Sequence, residues 1–332
     1  MSEHVPGMLD RPALTLLVDN GTIETVLVGF PDMYGRLLGK RYDARYFLQS
    51  ADHGLHFCDY LLACDMEMDP VPGYRYTGWE QGYRDAWGQV DWGTLRRASW
   101  LDKSALVLCD VRDSTTGALV PVAPRSVLRQ QIERARAAGF VPLGATELEF
   151  FVFAETYASA RKKHYHDLVT FGGYIEDYHL FQGTKIEGLL GAIRSHLNQS
   201  GIPVEFSKGE WGAGQEEINI RYSDLLAMSD RTVIFKQLAK EIAHEQERAV
   251  RGKVGPLVLL LQGFTKALNG LGDPCPIRAA DLDCVLSLKK FFGRRPFLFG
   301  QDAFVGPVAP EHEVGTRLVY DEIPLGGHMD QS

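Results

Sequence analysis

Apolar residues fall at every second place in "TIETVLVGF" (22–30), which predicts a strand with one buried face. "GRLLGKRY" (35–42) is its natural hairpin partner, since "PDMYG" between them is made of turn residues. "SALVLCDVRD" (104–113) predicts a further strand, apolar enough to be buried on both faces. The period then changes. "APRSVLRQQIERARAAG" (123–139) places Val127, Leu128, Ile132 and Ala135 on one helical stripe, with Pro124 in the first turn and Gly139 as the stop. "TELEFFVF" (146–153) returns to strand alternation: Glu147 and Glu149 share one face, and Leu148, Phe150 and Val152 the other. A helix is predicted over 184–201, opened by a capping box of Thr184 and Glu187 and closed at Gly201. "GIPVEF" is a short strand. "QEEINIRY" (215–222) sets Glu217, Asn219 and Arg221 opposite Ile218 and Ile220. The run "SDLLAMSDRTVIFKQLAKEIAHEQERA" predicts a long amphipathic helix behind a Ser or Asp cap.

Two stretches lack such a period. Between "GLHFCDYLLACDMEMD" and "PVPGYRYTGWEQGYRDAWG" the chain is dense in Gly, Pro, Trp and Tyr, which predicts irregular but packed structure. After residue 250 Gly and Pro recur at short intervals and no period is sustained, as in an irregular domain or a disordered extension. No internal repeat is present. The pattern is that of an α+β protein with one unit over 15–115, a second over 116–250 and a divergent tail over 251–332.

Composition narrows the function more than the fold. Of 332 residues, 45% are hydrophobic and 23% charged, as in ordinary globular proteins. A formal net charge of -8 argues against a nucleic-acid partner, which demands a basic face. The run "PLVLLL" is far too short to span a bilayer, and "MSEHVPGMLDRP" lacks a signal-peptide pattern. Cys58, Cys64, Cys109, Cys275 and Cys284 form no CxxC pair, so a reduced, cytoplasmic setting is expected without disulfide framework or zinc site.

The carboxylates carry the candidate chemistry. Two glutamates side by side on a strand repel one another, so Glu147 and Glu149 call either for a solvated face or for a divalent cation. A second cluster follows in "VEFSKGEWGAGQEEINIRY", where Gly212 and Gly214 allow a turn that returns Glu217 towards Glu210. Glu149, Glu210 and Glu217 are the oxygen donors for one hard ion, with Glu147 turned towards a second; surface acids are the plainer reading of the same residues. Other motifs read negatively. "GRLLGKR" has its glycines too close for a phosphate loop and lacks the Ser or Thr, "HEQER" lacks a second zinc-site histidine, and no GxSxG elbow occurs. His164, His166 and His179 lack ligand spacing.

Together, "ATELEFFVF" and "KGEWGAGQEEINIRY" resemble the glutamine synthetase family, whose pattern runs E-x-E-F and then E-x-G-x-G-Q-x-E. "FPDMYGRLLGKRYDARYFL" is similar to that family's N-terminal β-grasp strand pair, and the wording is nearest to bacterial ligases joining glutamate to ammonia or to other amines. The resemblance covers about residues 20 to 250. It implies a β-grasp domain followed by the front of a catalytic α/β domain. It implies Glu149, Glu210 and Glu217 as ligands of one Mg²⁺ or Mn²⁺ and Glu147 as a ligand of the second. Glu205 and Tyr222 match positions beside the nucleotide, and Asp65 lies near the acidic amine-binding segment. It further implies ATP as co-substrate, a γ-glutamyl phosphate intermediate and a ring-shaped homo-oligomer.

The likeness stops at about Val250. The family's later histidine, its last glutamate ligand and its phosphate-clamping arginines have no counterpart in the tail, which reads as a shifted frame, an unusual splice or an assembly error. Two expectations follow: a glutamate–ammonia or glutamate–amine ligase, and an inactive relative that keeps metal binding or assembly alone.

Overall fold

The computed structural model describes residues 5–262. Helix α1 (Arg11–Asp19) begins where the Asp10 side chain accepts from the Ala13 amide at 2.8 Å. Strands β1 (Thr25–Pro31) and β2 (Leu37–Asp43) form the expected antiparallel hairpin. Helix α2 (Ala44–Ser50) follows on an Asp43 cap. The aromatic-rich stretch is more regular than its composition suggests. It contains β3 (Leu55–Cys58) and β4 (Asp85–Val90), which pair antiparallel across a long irregular excursion. After β5 (Arg96–Arg97), β6 (Ser104–Asp113) runs through the middle of the sheet. The order is β2-β1-β6-β4-β3, with β5 also on β6, and β1 lies parallel to β6.

The second unit opens with α3 (Pro124–Ala137), its proline at the start and its Leu128, Ile132 and Ala135 buried. Then come β7 (Val141–Phe153), a short α4 (Tyr157–Lys162), α5 (Leu180–Gln199), β8 (Val204–Gly209), β9 (Gln215–Ile220), β10 (Ser223–Asp224), α6 (Leu225–Glu245) and β11 (Ala249–Gln262). The sheet order is β10-β7-β9-β8, and β11 pairs antiparallel with β7 along nearly its whole length. That strand crosses residue 250, where the sequence changes character; the rest of the tail lies outside the described residues.

Two hydrophobic cores meet at β6. Its Ala105, Val107 and Cys109 join Leu14, Val28, Phe30 and Phe47 in the first core, while Leu106 and Leu108 join the second. Strand alternation makes that sharing possible, because each face of a doubly buried strand supplies a different layer. In the second core Leu148, Phe150, Val152, Ile218 and Ile220 lie under Ile186, Leu189 and Ile193 of α5 and Ile234, Leu238 and Ile242 of α6. Both helices cover one face of the β7–β9 sheet. The other face is left to polar chemistry.

Two helix starts differ in instructive ways. Helix α6 is capped by Asp224, whose side chain accepts from Ala227 N at 3.0 Å, so the aspartate rather than Ser223 is the cap. Helix α5 begins at Leu180, earlier than the Thr184–Glu187 pattern predicts, and Thr184 is an interior residue bonding back to the Leu180 carbonyl at 3.0 Å. The added first turn is exposed at Leu180 and Phe181, and the buried stripe runs from Ile186 to Leu197.

Arg125, at the head of α3 and only 4% exposed, ties the two units together. Its guanidinium reaches Asp230 of α6 in a fork of 2.9 and 2.8 Å and also bonds Asp110 and Asp91, at 2.5 and 2.8 Å. Arg129, one turn on, donates to the same Asp91 and Asp110 at 2.7 and 3.0 Å.

Candidate active site

The acidic face is built from three adjacent antiparallel strands. In one cross-strand row Lys208 of β8 lies opposite Glu217 of β9, which lies opposite Glu149 of β7. In the next row Phe206, Asn219 and Glu147 are aligned in the same way. Directly opposed residues share a face, so Glu147, Glu149 and Glu217 lie together opposite the helix-covered side. Glu210 joins them at the turn between β8 and β9. That turn closes through Glu210 N to the Gln215 carbonyl at 2.8 Å and Gln215 N to the Gly212 carbonyl at 3.0 Å. Gly214 sits at φ +70°, a conformation costly for a side chain but free for glycine.

Sequence reasoning passed over Lys208, although it stands two residues before Glu210. Its ammonium bonds the Glu210 carboxylate, lies 3.3 Å from Glu217 and 3.7 Å from Asp177, and sits 4.5 Å from the Tyr178 ring centre. Burial works against its charge, yet the bonds to Glu210 and Glu217 win and its pKa is raised. Glu217 moves up, because it is buried and has the Glu210 carboxyl against it; Glu210 moves down, since its bonds to Glu217 and Lys208 outweigh burial. Gln215 bonds Glu149, and Asn219 Nδ2 donates to Glu217 at 2.7 Å. Two side-chain amides of β9 thus orient one carboxylate on β7 and one on β9.

These donors suit a hard divalent ion in kind: clustered carboxylate oxygens that already draw an ammonium into their midst. Among the described residues, however, no group of three or more His, Cys, Asp and Glu is arranged to hold a metal ion. Lys208 explains the difference, since in this arrangement its charge does the neutralising. The loop histidines at 164, 166 and 179 likewise form no such group among the described residues.

The positions expected near a nucleotide lie at the margins. Glu205 is exposed at an irregularity of β8, between the pairs Val204–Ile220 and Phe206–Asn219. Tyr222 follows the end of β9, which stops at Ile220 rather than at 222, and is 54% exposed. Asp65 is engaged locally, its Oδ1 accepting from Glu67 N and Asp69 N at 2.8 and 3.0 Å.

A second acidic pair lies on the buried side. Glu216 alternates away from Glu217 towards Phe150 and Ile218, is 0% exposed, and its carboxyl meets that of Glu176. Burial, then the adjacent Glu176 carboxyl, pushes its pKa up to about 9, so it stays protonated at neutral pH. Glu176 packs against the Gly209 backbone so closely that a Cβ there would lie 2.7 Å from its Cβ. Its neighbours Asp177 and Tyr178 face Lys208, so this buried pair anchors the loop that borders the acidic face.

An oxygen-rich face on a helix-backed antiparallel sheet defines the class of protein. Residues 121–251 match the glutamine synthetase catalytic domain, and this part of the chain belongs to that family. Among its relatives, a gamma-glutamylethanolamide synthetase, GlnA4, of Streptomyces coelicolor is 41% identical over 70% of this chain and 50% of its own length. A glutamate–isopropylamine ligase of a Pseudomonas species is 31% identical over 68% of this chain and 49% of its own. The chain therefore spans about half the length of these relatives. Among solved structures, a novel glutamine synthase homologue superposes with a TM-score of 0.60 at 19% identity, covering 73% of this chain and 56% of that one. A GmaS–ADP complex gives 0.59 at 22%, covering 72% and 50%. At such identities the superpositions speak for the fold alone. No helix among the described residues is long and apolar enough to cross a membrane.

Proposed function

We propose that this chain carries the front half of an ATP-dependent ligase that joins glutamate to an amine, or to ammonia, as a γ-glutamyl amide. The observation that carries the reading is the cross-strand row Lys208–Glu217–Glu149 with Glu210 at the adjoining turn. It places the family's acidic motifs on one face, in a segment similar to two amine-using ligases. In this reading Glu149, Glu210 and Glu217 hold one Mg²⁺ or Mn²⁺ and Glu147 contributes to a second. Such ions supply charge neutralisation for phosphoryl transfer from ATP to the glutamate γ-carboxylate.

The chain's own residues have separate tasks. Burial and Glu210 work against the ionised form of Glu217, and Asn219 steadies that form by donating to it. Where Glu210 and Glu217 would hold a divalent ion, the Lys208 ammonium would give up its place between them, with the Tyr178 ring beside it. Glu205 and Tyr222 border the nucleotide. The first unit takes the part of the family's β-grasp domain, set against a neighbouring subunit in a ring-shaped homo-oligomer in the cytoplasm.

A second reading has its own observation: the family match ends at residue 251. In it the acidic face binds metal, or supports assembly, without turnover. Phosphate release from ATP by the purified chain, with glutamate and ethylamine or ammonia, separates the two. Glutamate-dependent release abolished by Glu217→Ala establishes the ligase. Its absence, with Mn²⁺ binding intact, establishes the second reading.

A further inference from the structure

A cleft of about 290 Å³ opens between the β1–β2 turn and α6, lined by Gly35, Arg36, Leu37, Leu38, Met68, Val233, Lys236, Gln237 and Lys240. Three of these groups are cations. Lys236 and Lys240 stand one turn apart on α6, and Arg36 faces them from the hairpin.

Their charges are poorly matched. Asp32 is the carboxylate that offsets both lysines, but its oxygens are already engaged. Oδ1 accepts from Tyr34 N and Arg36 N at 2.9 and 2.8 Å, and Oδ2 accepts from Arg36 Nε at 2.5 Å. Arg36 also donates one N–H from each terminal nitrogen to the Met66 and Asp65 carbonyls, at 2.9 Å each, which leaves one N–H on each for a ligand. Lys236 donates to the Tyr34 carbonyl at 3.2 Å, and Lys240 has no ion-pair partner among the described residues. Burial first, and then a neighbouring cation, lowers the pKa of both lysines: Lys240 acts on Lys236, and Arg36 on Lys240. Lys236 is half-buried and Lys240 exposed, and like charges held this close repel one another unless an anion joins them.

We propose that this cleft is a binding site for a small phosphate- or carboxylate-bearing metabolite, with Lys236, Lys240 and Arg36 holding the anionic group. Gln237 adds a side-chain amide. Leu37, Leu38, Met68 and Val233 offer an apolar wall for a short carbon skeleton, the usual mixture in small-molecule sites. The volume suits a compact anion rather than a whole nucleotide. The site bridges both units, so its occupant stabilises their docking. It does not depend on the ligase reading.

Titration calorimetry on the full chain tests this, with inorganic phosphate in one arm and succinate in the other. EDTA is present so that no metal on the acidic face recruits either anion, and chloride is held constant. Saturable binding of at least one anion is expected, and the arm that responds identifies the head group. Lys240→Met should weaken it at least tenfold, whereas Lys185→Met, an exposed position on α5, should leave it unchanged. Lys240 is exposed, so Lys240→Met stays folded and measurable. No saturable binding by the wild-type chain in either arm overturns the proposal. So does equal binding by Lys240→Met.

Discussion

Replacing Glu216 by glutamine tests the buried side of the candidate site most sharply. The carboxyl is fully enclosed, the Glu176 carboxyl is set against it, and its pKa is pushed up to about 9 from an ordinary 4.5. Between those two values the folded chain holds a proton that the unfolded chain has released. Stability contributed at this position is therefore whole below about pH 4.5 and falls as pH rises, until the folded group also ionises near 9. At about pH 7.5 the gap is about 3 pH units, which at about 1.36 kcal/mol each sets a ceiling of about 4 kcal/mol. Glutamine keeps the shape, cannot ionise, and has Glu176 beside it to accept from its amide. The groups whose charges reach this site, Glu176, Glu210 and Lys208, are common to both proteins, so the difference between them isolates residue 216. In urea unfolding, Glu216→Gln should be more stable than wild type by roughly 2–4 kcal/mol at about pH 7.5, and by under about 1 kcal/mol near pH 5. A difference that does not change with pH, or a variant less stable at both values, would refute the reasoning.

Divalent metal should stabilise the chain through the acidic face: at about 100 times its Kd, Mn²⁺ adds about 2.7 kcal/mol, read as a rise in melting temperature over EDTA. Glu149→Ala should abolish that rise, and an equal rise in the variant would remove Glu149 from the site. Arg125→Met leaves Asp230 buried without its guanidinium and Asp91 and Asp110 with Arg129 alone, and should cost about 3–5 kcal/mol in urea unfolding. Adding Asp230→Asn to that variant should recover part of the loss, because the most buried of the three charges is then gone.

Much of this protein is determined by its sequence alone, wherever one residue's neighbours along the chain decide its environment. Alternation in "TELEFFVF" suffices to put Glu147 and Glu149 opposite Leu148 and Phe150, because a strand has only two faces. The 3.6-residue period does the same for α3, and Asp224 caps α6 through its own local bond. Neighbours brought from afar are another matter. β3 and β4 pair across more than twenty-five intervening residues that look irregular, because a sheet edge supplies the order their composition lacks. Helix α5 starts before its capping signal, and Thr184 bonds back to the Leu180 carbonyl from inside the helix instead of capping it. Above all, tertiary structure decided which charges meet. Lys208 is an ordinary lysine in a list of residues, and only the β8–β9–β7 register sets it among Glu210, Glu217 and Asp177. Glu216 and Glu217 are adjacent and identical in kind, yet one faces the core beside Glu176 and the other an acidic surface. The chain dictates that they part; the packing on each side dictates their chemistry.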